Sequence, residues 1–264
     1  MFVVKLGGSL ITHKDDYCSP NRDVIRGYAK EIKKHWRLLQ GNLIIILGGG
    51  SYGNGVPIRY KIQNSEQDWR HEDILMMTTK MFEWMTEVTA IFRDEGLPCY
   101  PFQGSSYITS DDGDLNRCFV QPIKNSLSLG LLPILSGDLT FDKSKKFVIF
   151  SSDKIPQVLN RELEINRVVM LTNVDGIHYR HDPSKIYKNV TRENFPVVIA
   201  ETGSSKQQDV TGGMRTKFLS LIELAKQGVM GVICNGNNPR NLISSIFKEE
   251  PPGTMIQVWK GERV

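Results

Sequence analysis

NLIIILGGGSYGNG, Asn42 to Gly55, runs five apolar residues into three consecutive glycines and closes on Tyr52, Gly53, Asn54 and Gly55. An unbroken apolar run of this length suits a strand buried on both faces, and glycines placed directly after a strand suit a turn that brings backbone close to a ligand. The rest of the chain repeats the pattern. FVVKL (2–6), PCYPF (98–102), LLPIL (131–135), RVVML (167–171) and GVICN (231–235) are further short apolar runs. Between them lie stretches of helical period: Ser19 to Leu39, Asp73 to Glu95, a segment after Ile123, Asp153 to Glu164, and Gly213 to about Gln227, ended by Gly228. In the first, Ser19 is expected to cap the helix with Pro20 in its first turn, Ile25, Ala29, Ile32 and Trp36 on one face, and Gly41 past its end. DLTFDKSKKFVIFS (138–151) reads as a hairpin. Alternation of strand and helix predicts an α/β fold, a parallel-rich sheet with helices on both faces.

At 264 residues and 40% apolar side chains, the chain is expected to form a single domain. Its net charge of +4 comes from 33 basic and 29 acidic residues that are interspersed, a balance that predicts no nucleic-acid partner. Cys18, Cys99, Cys118 and Cys234 are widely spaced, without the pairing of a disulfide framework or a zinc site. The N-terminus reaches Lys5 and two glycines before any leader-like apolar region develops, and no run approaches the ~20 apolar residues of a membrane span. A soluble cytoplasmic protein without a membrane partner is the expectation.

Glycines gather where strands end, at Gly7-Gly8 and Gly48-Gly49-Gly50, and again at Gly212-Gly213 ahead of a helix. Any one pair is as well explained by a tight turn. Three together, with Lys5 on the first strand, Lys14 after its turn and Lys217 one helical turn beyond Gly213, point to a polyphosphate at the carboxyl ends of the strands. Gly48-x-Gly50-x-x-Gly53 also fits a dinucleotide fingerprint, with Asp68 twenty residues beyond Gly48. That fingerprint needs a strand ending at the acidic residue, and the sequence there is polar and then helical in period. No Walker A motif occurs. In DVTGGMRTK (209–217), Asp209 or Thr211 would cap a helix whose first N–H groups face an anion within reach of Lys217; a capped surface helix is the plainer alternative. In TNVDG (172–176), Asn173 and Asp175 either close a turn or meet ribose or Mg²⁺.

Taken in order, KLGGS (5–9), GGGSYG (48–53), SSDKIP (151–156), TNVDG (172–176), DVTGGM with its following lysine (209–217) and CNGN (234–237) resemble the amino-acid kinase superfamily, and within it the isopentenyl phosphate kinase branch, which also includes fosfomycin kinase-like enzymes. The resemblance spans nearly the whole chain. It implies a three-layer α/β/α sandwich with a largely parallel central sheet, residues 1–160 forming the acceptor-binding half and 161–264 the nucleotide-binding half. It implies ATP and Mg²⁺ as cofactors, with no metal-ligating side chains assigned, and a homodimer. Lys5, Gly7, Gly8, Ser9 and Gly50 would line the ATP phosphates; Gly212, Gly213 and Lys217 would hold the β- and γ-phosphates; Thr172 and Asp175 would lie beside the nucleotide. Lys14, with Lys5 and Lys217, would stabilise the transferring phosphoryl group. Gly49, Gly50, Asn54 and the backbone near Ser152 would meet the acceptor.

Two positions depart from the family pattern. Where it reads H-G-G-G-[AS]-[FY]-G-H, this chain has Leu47 and Asn54; where it often reads S-G-D-D, this chain has Ser151-Ser152-Asp153-Lys154. An asparagine donates as a neutral amide, a weaker partner for a phosphate than a charged imidazole. The expected activity is ATP-dependent phosphorylation of a phosphate monoester, isopentenyl phosphate first. A phosphonate or carboxylate acceptor, or a nucleotide-binding regulator without catalysis, are the alternatives. Of the remaining features, His178 and His181 read as a surface loop and KEIKKHWR (30–37) as the wet face of a helix. Met76, Met77, Met81, Phe82, Trp84 and Met85 read as core, a dimer face or the wall of an apolar acceptor tunnel.

Overall fold

The structure is a computed structural model that describes residues 1–13, 16–60, 62, 70–202 and 213–259. Its strands are β1 (Phe2–Leu6), β2 (Leu43–Leu47), β3 (Cys99–Phe102), β4 (Ile108–Asp111), β5 (Asp114–Cys118), β6 (Leu132–Ser136), β7 (Asp138–Asp142), β8 (Lys146–Phe150), β9 (Arg167–Thr172), β10 (Asn189–Val190), β11 (Met230–Asn235) and β12 (Thr254–Ile256); the sequence pattern places all of these except β4, β5, β10 and β12. Eight of them make one sheet in the order β10-β12-β11-β9-β1-β2-β6-β3. All neighbours are parallel except β11 and β12.

The sheet is covered on both faces, which is why its strands carry no polar alternation. On one face Val4, Leu6, Ile45, Leu47, Val169 and Val232 pack with Ile25, Tyr28 and Ile32 from the helix Arg22–Lys34, with Met81, Trp84 and Met85 from the helix His71–Asp94, and with Leu242 and Ile246 from the helix Arg240–Phe247. On the other, Val3, Ile44, Ile46, Val168, Met170 and Ile233 pack with Ile123, Val158, Phe218 and Leu221 from the helices Gln121–Ser128, Ile155–Asn160 and Gly213–Lys226. This is the expected three-layer α/β/α sandwich. Lys5 shares the second face with Val3 and is only 4% exposed.

Register decides where the site lies. Leu6 pairs with Leu47 and with Leu171, Leu47 pairs with Ser136, and Leu171 pairs with Cys234. The turns after β1, β2, β6, β9 and β11 therefore open at one common edge, the carboxyl ends of the strands. Ligands of open α/β sheets bind along such an edge.

Three local expectations are corrected. The first long helix is capped by Asn21, whose side chain accepts from Val24 N, and not by Ser19, whose N–H instead reaches Ser51. The helix expected from Asp153 starts at Ile155, with Pro156 in its first turn, and leaves Asp153 outside it. A second, four-stranded sheet in the order β5-β4-β7-β8 grows from the end of β6, where only its β7–β8 hairpin was expected. The methionine-aromatic stripe divides. Met77, Met81, Trp84 and Met85 are core, whereas Phe82 is half exposed. No helix among the described residues is long and apolar enough to cross a membrane.

Candidate functional site

The glycine turns after β1 and β2 interlock at the shared edge. Gly48 N donates to Leu6 O at 2.8 Å and Gly7 N to Leu171 O at 2.9 Å, so both turns extend the parallel ladder before bending away. A Cβ on Gly8 would overlap Gly50 N, one on Gly48 would overlap Gly8 N, and one on Gly50 would overlap Thr12 Oγ1. Gly50 also has φ +50°, a left-handed conformation that only glycine adopts without penalty. Short helices follow each turn, Gly8–Ile11 and Gly50–Gly53. Their opening N–H groups lie at the sheet edge, where such groups have no intrahelical partner. Ser9 is exposed there, while Gly49, Gly50 and Asn54 are half-buried. The Asn54 Oδ1 is enclosed without a hydrogen-bond partner.

Beneath these turns lies a charged cluster that the sequence reading did not assemble. Lys5 Nζ donates to Asp153 Oδ1, and Lys217 Nζ lies 3.6 Å from Asp153 Oδ2. Asp153 is fully buried. Its burial pushes the carboxyl up, but attraction to Lys5 and then to Lys217 outweighs this and holds the group below the ordinary 3.8. The carboxylate is placed by its backbone: its N–H donates to Ser151 Oγ at 3.2 Å and its carbonyl accepts from Ser220 Oγ at 2.6 Å. Gly137, between β6 and β7, lets this segment close in, since a Cβ there would come within 2.7 Å of Ser152 N. Lys217 is steadied further by donating to Gly213 O at 3.3 Å. SSDKIP supplies the acid, but its partners are distant in sequence; a carboxylate shielded from water is held charged by the two lysines on either side of it.

A third part of the site follows β9 and β11. Thr172 is buried and its Oγ1 accepts from Val174 N at 3.1 Å, tightening the TNVDG turn. Gly236 N donates to Thr172 O at 2.7 Å, which joins this turn to CNGN. Asp175 is exposed and accepts from Asn235 Nδ2 at 2.8 Å. Both line a cavity of about 610 Å³ with Tyr179, Lys185, Lys188 and Asn241. His178 Nδ1 lies 2.7 Å from Pro183 O in the loop after the TNVDG turn.

The structure thus brings Lys5, Gly7, Gly8, Ser9, Gly49, Gly50 and Asn54 to one edge, Lys217 and Ser152 to its charged floor, and Asp175 to the adjoining cavity, with Thr172 buried at the start of the same turn. Lys14, Gly212, Thr211, Asp209 and Asp68 lie outside the described residues. Among the described residues, no three His, Cys, Asp or Glu side chains gather to hold a metal ion.

A mostly parallel sheet with glycine turns and a lysine-flanked buried carboxylate at one edge defines a class of anion-handling α/β protein; residues 1–235 match the model of the amino acid kinase family, and the chain belongs to that family. Within it, the chain is 29% identical to the isopentenyl phosphate kinase of Methanothermobacter thermautotrophicus, over 97% of this chain and 98% of that one. It is 28% identical to the isopentenyl phosphate kinase of Thermoplasma acidophilum, over 97% of this chain and the whole of that one. A solved structure described as isopentenyl phosphate kinase superposes with a TM-score of 0.80 at 26% identity, covering 97% of this chain and all of the other.

Proposed function

We propose that this chain is an ATP-dependent kinase that transfers the γ-phosphoryl group to isopentenyl phosphate, giving isopentenyl diphosphate. The observation that carries the reading is the Lys5–Asp153–Lys217 cluster, built on a fully buried carboxylate, beneath two interlocked glycine turns. It presents fixed positive charge to a site whose walls are backbone N–H groups, and phosphoryl transfer is accelerated chiefly by such positioning and charge stabilisation. The full-length likeness to isopentenyl phosphate kinases favours a phosphate-monoester acceptor over a phosphonate or carboxylate.

In this reading Lys5, Gly7, Gly8, Ser9, Gly50, Gly213 and Lys217 cradle the ATP phosphates, with Gly212 completing the turn before Gly213. Asp175 borders the cavity that takes the rest of the nucleotide, and Thr172 holds the turn that presents it. Gly49, Asn54 and the Ser152 backbone face the acceptor phosphate. When the γ-phosphoryl group moves, Lys217 and Lys5 follow the charge on its oxygens, and Lys14 is assigned the same role from its motif. The acceptor needs no base, because a monoester's second pKa is about 6 and its oxygen is already ionised at neutral pH. Mg²⁺ would enter on the ATP phosphates, neutralising them while keeping several waters.

The test is ADP release with MgATP over a panel of phosphates, phosphonates and carboxylates. Isopentenyl phosphate should give the highest kcat/KM. Turnover of a phosphonate with none of isopentenyl phosphate would reject the acceptor, and nucleotide binding without any turnover would reject catalysis. Asn54→His should lower the KM for isopentenyl phosphate about 3- to 10-fold at pH 6, with the gain shrinking above the imidazole pKa of about 6.5. An unchanged KM at both pH values would remove Asn54 from the acceptor contact.

A further inference from the structure

Thr12 and Ser51 stand just behind the two glycine turns; the Thr12 hydroxyl ties those turns together through the Ser51 N–H, and the Ser51 hydroxyl carries the tie on to Ser19. Thr12 Oγ1 donates to Gly8 O at 2.8 Å and accepts from Ser51 N at 2.9 Å. Ser51 Oγ in turn accepts from Ser19 N at 3.0 Å. Both side chains are buried, Thr12 at 3% and Ser51 at 4% exposure. One hydroxyl can serve a carbonyl and an N–H at once because it carries a donor and two acceptor lone pairs.

The approach is so close that Gly50 cannot carry a side chain, since its Cβ would overlap Thr12 Oγ1. Gly8 O is already engaged by Thr12 N at 3.0 Å within its own short helix. The hydroxyl bond is therefore not needed to complete the helix after β1. What it adds is a fixed distance from the turn after β1 to the turn after β2. The bond from Ser51 to Ser19 extends the same tie to the segment that returns beside the first turn, where Thr12 bridges Pro20.

We propose that Thr12 and Ser51 are positioning residues for phosphoryl transfer, a hydroxyl staple that sets the separation of the donor and acceptor turns. This rests on the reading that those turns hold the two phosphates. Reacting atoms must sit about 3–3.5 Å apart, and a displacement of ~1 Å costs on the order of 10²-fold in rate. The staple should therefore be felt in kcat more than in either KM.

Thr12→Val, Thr12→Ser and Ser51→Ala test it by steady-state kinetics with MgATP and isopentenyl phosphate, and by amide hydrogen exchange over residues 48–54. Thr12→Val should lower kcat about 30- to 100-fold with both KM values within about threefold of the parent. Thr12→Ser, which keeps the hydroxyl, should return kcat to within about threefold, and Ser51→Ala should lower it about tenfold. A parental kcat in Thr12→Val overturns the staple, as does a Thr12→Ser variant as impaired as the valine. If the valine variant fails to fold, an unchanged kcat in Thr12→Ala overturns it instead. Hydrogen exchange separates this proposal from the acceptor assignment: even with a parent inactive on isopentenyl phosphate, Thr12→Val or Ser51→Ala should speed exchange over residues 48–54 by about tenfold or more. Exchange identical to the parent's overturns the staple.

Discussion

Asp153 and Asp175 both follow strands that feed the site, yet they live in opposite surroundings. Asp153 is sealed from water between Lys5 and Lys217; Asp175 is exposed at the mouth of a cavity and held by the single amide of Asn235. A carboxylate with no water must be neutralised by its neighbours, so Asp153 and the two lysines fix one another. A carboxylate in water needs no such partner and is left available to a ligand. The first organises the site's charge, and the second offers it a contact.

Removing the buried carboxylate should have the largest effect. Asp153→Asn leaves two cations without their shared counter-charge and should cost about 3–5 kcal/mol of stability, read by denaturant unfolding. Its turnover should fall at least 10²-fold, as expected when charge stabilisation is disordered. The same variant sharpens the contrast in its pH dependence. Because the folded Asp153 carboxyl titrates below 3.8, its stabilisation is complete above that value and is lost as pH falls through the folded pKa. Asp153→Asn should therefore flatten the decline in stability below about pH 4. A melting curve and pH profile matching the parent's would end the claim that this ion cluster is structural.

Lys217→Met comes next. Asp153 keeps Lys5, so the protein should remain folded, while kcat falls about 10²- to 10³-fold through loss of charge at the transferring group. A loss confined to the ATP KM would show that Lys217 only binds. Asp175→Ala should be mildest, with a melting temperature within about 2 °C of the parent and an ATP KM raised about 3- to 10-fold. A large drop in melting temperature would place Asp175 with Asp153 and erase the distinction.

The central strands β1, β2, β6, β9 and β11 were legible because both their faces are buried, which leaves near-continuous apolar runs such as LIIIL, whereas the short β10 and β12 at one edge were not. The hairpin of β4 and β5 was not, for the converse reason: ITSD and DLNRC are largely polar, and much of β5 is exposed. Asn21 was overlooked as a cap because Ser19-Pro20 offers the stronger local signal. Ser19 is drawn away by Ser51, which lies beyond the reach of any local rule. The glycine turns and Lys217 were readable from spacing and resemblance. Asp153 was not, since its partners lie on β1 and on the helix Gly213–Lys226, and only the three-dimensional arrangement shows what a lone acid before a proline is for.

The position of β1 has a consequence for how the chain can be made. Its residue Val3 pairs with Ile44 on one side and with Val168 on the other. During synthesis the first partner emerges early and the second only after more than half the chain is complete. Until then one whole flank of a strand with no exposed side chain between Val3 and Leu6 stays unpaired, a template for pairing with other chains. Severed near residue 160, the N-terminal part would keep that open flank permanently and would also lack Lys217. A split of this protein at the midpoint should therefore yield an N-terminal fragment that aggregates on its own and is rescued by co-expression with the remainder.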